Sequence, residues 1–118
     1  MAHSLVKVYV HYVWTTKNRE RILVGDARRI LADHLGANAV GKGIHVETLN
    51  VQPEHIHILV KLPHDQRIED LVKLLKGESS HWINQSDMLP GKFSWQTGYA
   101  AFSVAYDRLD AARRHETR

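Results

Sequence analysis

A chain of 118 residues can bury one hydrophobic core but not two, so a single domain over residues 1–118 is expected. Without a cysteine it can have neither disulfides nor a cysteine-held zinc site, and no apolar run reaches the ~20 residues of a membrane span. A net charge of +3 permits a nucleic-acid partner without requiring one, and the N-terminus lacks a signal-peptide pattern, so a cytoplasmic protein with no membrane partner is expected.

Residues 5–14 alternate: Val6, Val8, Val10, Tyr12 and Trp14 point one way, and Lys7, Tyr9 and His11 the other. That period of two is the mark of a half-buried strand. Residues 15–25 carry Lys17, Arg19 and Arg21 and read as a basic loop. Asp26 is placed to cap a helix with Ala27, Ile30, Leu31 and Leu35 on one face; Gly36 weakens it, and Gly41 or Gly43 ends it. Strands follow over residues 44–51 and 55–62, with Pro53 at the turn between them. A second helix is predicted with Ile68, Leu71, Val72, Leu75, Ser79 and Trp82 on one stripe, opposite Glu69, Lys73 and Lys76. Residues 86–99 read as a loop, 101–106 as a fourth strand and 107–118 as a short basic helix.

Strand, helix, strand, strand, helix, strand is the ferredoxin-like order. The fold class expected is therefore α+β: a four-stranded antiparallel sheet with two helices on one face and a short C-terminal helix. Only that last helix is available to cover the other face.

Among the nine histidines, His3, His34, His64 and His81 are scattered and are expected at the surface. His55 and His57 differ. In a strand, alternate side chains share a face and stand roughly 6.5 to 7 Å apart. Both imidazoles therefore project together while Ile56, Ile58, Val60 and Leu62 face the core. Such a pair can grip one metal ion, or it can be two surface histidines on an exposed strand. A divalent ion there would offset phosphodiester charge in a transition state, and imidazoles suit Mn²⁺ better than Mg²⁺.

Four runs carry a more specific signal. They are residues 11–17 (HYVWTTK), 53–57 (PEHIH), 74–80 (LLKGESS) and 95–99 (WQTGY), and they occur in this order. Together they resemble the single-tyrosine HUH transposases of the smallest bacterial insertion sequences and the related REP-associated tyrosine transposases. The resemblance covers nearly the whole chain. It implies that His55 and His57 bind Mg²⁺ or Mn²⁺, that single-stranded DNA hairpins are the partner, and that a tyrosine attacks the scissile phosphate. It also implies a homodimer in which the tyrosine helix of one subunit serves the metal site of the other. Lys17, Arg19, Lys73 and Lys76 lie in segments that approach DNA in such proteins, although each also suits a solvated face. Trp95 and Tyr99 have the chemistry to stack on unpaired bases, or Trp95 can plug the edge of the core.

The C-terminal pattern departs from the family. Registered on residues 95–99 and 102–104, the nucleophilic tyrosine position falls on His115, and the glutamine that completes the metal site falls beyond Arg118. An apparently truncated C-terminus is expected. Tyr106 is the nearest tyrosine, a weak substitute whose expected role is packing. The function expected is metal-assisted cleavage and joining of hairpin DNA, impaired here; the alternative is a non-catalytic hairpin-binding module derived from a transposase. A ferredoxin-like domain for small molecules is a third reading, opposed by the histidine pair and the basic loop.

Overall fold

The computed structural model describes residues 7–105 and Arg108. Strand β1 (Tyr9–Thr15) is followed by a short 3-10 turn (Lys17–Arg19) and helix α1 (Asp26–Gly41). Strands β2 (His45–Val51) and β3 (His55–Lys61), helix α2 (Ile68–Ser86) and strand β4 (Ala100–Val104) complete the order. The sheet runs β2-β3-β1-β4, with every neighbouring pair antiparallel. This is the ferredoxin-like α+β arrangement that the element order implies. The C-terminal helix expected over residues 107–118 lies outside the described residues.

Alternation builds the covered face. Val10, Tyr12 and Trp14 of β1 and Ile56, Ile58 and Val60 of β3 are buried beneath the helices. In β2 a bulge between Val46 and Thr48 resets the period, so that Val46 before it and Leu49 and Val51 after it all join the same core. Simple alternation through Glu47 would have sent Leu49 and Val51 to the opposite side from Val46. The Tyr12 hydroxyl donates to the carbonyl of Ile68 at 2.8 Å, tying the central strand to the start of α2. Burial, and secondarily the charge of Tyr99, pushes that phenol well above its ordinary range.

The first helix differs from its sequence reading at two points. Gly25, not Asp26, occupies the cap position, at φ +58° and without a side-chain cap; Asp26 lies inside the first turn, 3.8 Å from Arg29. The buried stripe is Leu31, Leu35 and Ala39, at steps of four, while Ile30, about 100° round the helix from Leu31, is exposed. Helix α2 buries Leu71, Val72, Leu75, Ser79 and Ile83, whereas Ile68 is exposed at its first turn. Trp82 stacks on His34 of α1, with ring centroids 3.9 Å apart and planes 6° from parallel. His34 Nε2 also lies 2.9 Å from both carboxylate oxygens of Glu78. His34 is thus a half-buried clasp between the helices rather than a surface residue.

The segment between α2 and β4 is pinned at Phe93 and Trp95. Asn84 exchanges two hydrogen bonds with the backbone of Phe93, accepting at 2.7 Å and donating at 2.9 Å. Trp95 packs edge-on against Trp14 and Phe93 and donates from Nε1 to Ser79 Oγ at 3.0 Å. Buried Thr16 pairs with Trp95 as an isolated bridge, which extends the sheet contact past the end of β1.

Candidate functional site

The other face of the sheet is where the sequence places chemistry. Antiparallel register sets Thr15 opposite His55, Val13 opposite His57 and His11 opposite Leu59. Three imidazoles, His11, His55 and His57, therefore share one side of the two central strands. The His55 and His57 rings stand 4.6 Å apart between centroids, at 75°, and those of His11 and His57 stand 5.3 Å apart.

Each of the paired histidines is engaged through the same ring atom. His55 Nδ1 lies 2.6 Å from Glu54 Oε1. A carboxylate only accepts, so the ring donates from Nδ1 and keeps its Nε2 lone pair free. The second oxygen of Glu54 takes Arg21 Nη1 at 2.5 Å, which fixes the carboxylate in turn. His57 Nδ1 lies 3.1 Å from Nε2 of His11. Two imidazole nitrogens with carboxylate support behind one of them suit a divalent ion with open coordination positions. Among the described residues, no group of three or more His, Cys, Asp or Glu side chains is arranged to hold a metal ion.

The surroundings of the pair are unequal. Leu59, next along β3, is fully buried and forms a small cluster with Tyr9 and Val104. Phe102 of β4, which pairs with His11, is 56% exposed. The basic loop leaves β1 beside the histidines: Thr16 N donates to the carbonyl of Glu54 at 2.9 Å, and Lys17 and Arg19 are exposed just beyond. Asn18 N donates to Gln96 Oε1 at 3.0 Å, so this loop and the segment before β4 form one rim.

The remaining sequence-derived positions divide by environment. Lys73 is exposed on α2. The ammonium of Lys76 donates to the carbonyls of Gln96 and Gly98, at 2.9 and 2.8 Å, and burial lowers its pKa. Gly98 sits at φ +95°, a conformation open to glycine, and presents its carbonyl to that lysine. Lys76 therefore braces the rim from beneath. Trp95 is only 9% exposed and packed into the core; Tyr99 is 40% exposed. Tyr106 and His115 lie outside the described residues.

Spacing alone misses His11, Glu54 and Arg21 as site residues. Glu54 adjoins the pair in sequence, and the alternation of β1 already puts His11 opposite Val10 and Tyr12. The missing information is register, because His11 and His57 are 46 positions apart.

An antiparallel ferredoxin-like sheet with two histidines flanking one buried isoleucine on its open side defines a domain of the HUH type. The chain belongs to the IS200-like transposase family, whose profile, described as "Transposase IS200 like", matches residues 4–115. It is 33% identical over 100 residues to the ISDra2 transposase TnpA of Deinococcus radiodurans, a match covering 80% of this chain and 71% of that one. A crystal structure of a Deinococcus radiodurans R1 protein described as a transposase superposes with a TM-score of 0.80 at 26% identity. That match covers 98% of this chain and 92% of the other. The fold is also that of a REP-associated tyrosine transposase solved with a REP hairpin, at a TM-score of 0.66 and 16% identity, over 98% of this chain and 67% of that one. Among the described residues, no helix is long and apolar enough to cross a membrane.

Proposed function

We propose that this chain acts on single-stranded hairpin DNA, with His55 and His57 as protein ligands of a Mg²⁺ or Mn²⁺ ion at the scissile phosphate. The observation that carries the reading is the histidine pair, side by side with His55 Nε2 left free by Glu54, beside a rim that exposes Lys17 and Arg19. When bound, the ion supplies charge compensation at a non-bridging phosphate oxygen. The chain itself supplies the rest. Glu54 and Arg21 fix His55, the rim attracts phosphates, and Tyr99 offers an exposed ring to an unpaired base. Lys73 extends the basic surface onto α2. The hairpin in the REP-associated relative supports a DNA partner of this shape. A homodimer and a cytoplasmic location belong to the same reading.

One sequence feature favours a second reading. The family register places His115 where a nucleophilic tyrosine stands, and a hairpin-binding module needs no nucleophile. A single pair of assays separates the two. Labelled hairpins and unstructured strands from the gene's own flanks are titrated with protein at rising salt, and the Mn²⁺ mixtures are then run on a denaturing gel. A transposase gives salt-sensitive hairpin binding and a denaturant-resistant protein–DNA band. A binding module gives the first without the second. Equal, salt-insensitive affinity for both strands refutes a hairpin-DNA function altogether.

A further inference from the structure

The turn that exposes Lys17 and Arg19 holds an unfavourable backbone conformation. Asn18 and Arg19 have φ of +58° and +55°, the left-handed region, where a residue with a Cβ stays only if its surroundings hold it there. Asparagine visits that region readily, but arginine does not. Local bonds close the turn: Arg19 N donates to the carbonyl of Thr16 at 3.0 Å, and Thr16 Oγ1 to that of Glu20 at 2.7 Å. Asn18 N reaches further, to Gln96 Oε1 at 3.0 Å, 78 positions away. Gln96 is itself held at its backbone from two sides. Its N donates to the carbonyl of Thr15 at 2.9 Å, and its own carbonyl accepts from Lys76 Nζ at 2.9 Å. The same ammonium takes the carbonyl of Gly98 at 2.8 Å, and Gly98 leads at φ +95° into Tyr99, whose ring lies 6.2 Å from that of buried Tyr12.

We infer that Lys76 is a positioning residue rather than a phosphate contact. By clamping the carbonyls of Gln96 and Gly98 it holds, through the Gln96 side chain, the left-handed turn that presents Lys17 and Arg19, and, through Gly98, the ring of Tyr99. The inference rests on the DNA reading proposed above, while the clamp itself stands on contacts within the chain. Both bonds are charge-assisted, and a phosphate could claim the ammonium only by taking it from two carbonyls. Ser79, three residues on and so on the same side of α2, accepts from Trp95 Nε1 at 3.0 Å. That bond fixes the residue before Gln96 against the turn of helix that carries Lys76. Burial also draws the Lys76 pKa down, as for an ammonium partly withdrawn from water. One cation thus orders two separate stretches of the DNA-facing rim without facing DNA itself.

The test has one arm without DNA and one with it. In the first, amide exchange and ring-to-ring nuclear Overhauser contacts are read in the full chain and two variants. Lys76→Met keeps the side chain's length and removes its donors. It is expected to speed exchange at Asn18 several-fold and to weaken the Tyr99–Tyr12 contact, with the amides of β3 unchanged. Gln96→Leu keeps the backbone carbonyl and deletes the side-chain acceptor. It is expected to speed exchange at Asn18 by roughly 3- to 10-fold, the scale of one lost hydrogen bond, and to leave the ring contact in place. In the second arm, affinity for a labelled hairpin from the gene's flanks is titrated against salt. Lys76→Met is expected to bind roughly 3- to 10-fold more weakly at every salt concentration, from the ordering of a loosened rim, with an unchanged log–log slope. A slope shallower by ~0.7 to 0.9 makes Lys76 a phosphate contact and overturns the inference, as does an unchanged affinity. An Asn18 amide that stays slow in either variant overturns it too, and so does a speeding shared equally by β3, which would mean a general loss of stability. A wild-type chain that binds no hairpin, beside variants that release Asn18 as expected, upholds the clamp and overturns the DNA reading instead.

Discussion

In β1, Val10, Tyr12 and Trp14 alternate with His11, Val13 and Thr15, so a single strand supplies both faces of the sheet. On the covered face most neighbours are hydrocarbons or aromatic rings, with a few buried polar contacts such as Tyr12 to Ile68 and Trp95 to Ser79, and what matters most is volume. Around the histidines of the open face the neighbours include imidazoles and a carboxylate, and what matters there is which atom donates to which. Substitution on the two faces should therefore fail in different assays. The contrast also says why such a fold carries a site so readily: the helices and the core fix the backbone, and the opposite side chains can then vary without dissolving it.

The sharpest way to break that contrast is to truncate neighbours in one strand. Ile58→Ala removes a fully buried side chain and is expected to cost ~2–5 kcal/mol of stability, measured by denaturant unfolding. Its neighbour His57, changed to Ala, is expected to cost under about 1 kcal/mol, the range of substitutions outside a packed core. Yet Mn²⁺ binding should be lost in His57→Ala and kept in Ile58→Ala at temperatures where the latter is folded. Equal loss of stability in the two variants would show that the open face also holds the fold together.

The covered face was legible in the sequence because burial imposes a period. Strands with period two and helices with steps of three and four gave four strands, two helices and their order, with ends misplaced by a few residues. The His55–His57 pair was legible for the same reason. What escaped depended on distant pairing. His11 reaches His57 only through the β1–β3 register, and the β2 bulge at Glu47 breaks the period that alternation relies on. His34 meets Trp82 and Glu78 only once the helices pack together. Leu23 is fully buried although the basic stretch around it reads as loop. Periodicity reports which residues are inside and is silent on who meets whom.

The rim between the two faces should respond at an intermediate level. Ser79→Ala removes the acceptor of Trp95 Nε1 and leaves a buried indole N–H unsatisfied, at a cost of ~1–3 kcal/mol. Among the described residues Trp14 Nε1 is already such a buried, unpartnered donor, and its ring packs against Trp95. A second orphan next to it is poorly tolerated. Unfolding measurements give the cost, and hairpin affinity tells whether loosening Trp95 disturbs the segment that carries Tyr99. Unchanged stability would mean that Trp95 finds another acceptor.

The smallest effect at neutral pH should come from Tyr12→Phe, which deletes only the bond to the carbonyl of Ile68, for about 1 kcal/mol. Its pH dependence is the more telling quantity. Burial, with a lesser contribution from Tyr99, keeps the Tyr12 phenol protonated in the folded chain far above its usual value of 10.0. The unfolded chain releases that proton from about pH 10 upward and is stabilised by doing so, while the folded chain holds it. Stability present below that pH is therefore lost as the pH rises through and beyond it. Lys76 works in the opposite sense: its pKa is lowered in the folded state, so the unfolded chain binds more protons and stability rises with pH up to about 10.5. Both chains of the comparison keep Lys76, so its contribution cancels in the difference. Tyr12→Phe should accordingly be the less stable chain at neutral pH and lose less stability than the wild type above pH 10. Parallel stability curves across that range would place the phenol in contact with water and undo the picture of Tyr12 as a sealed link between β1 and α2.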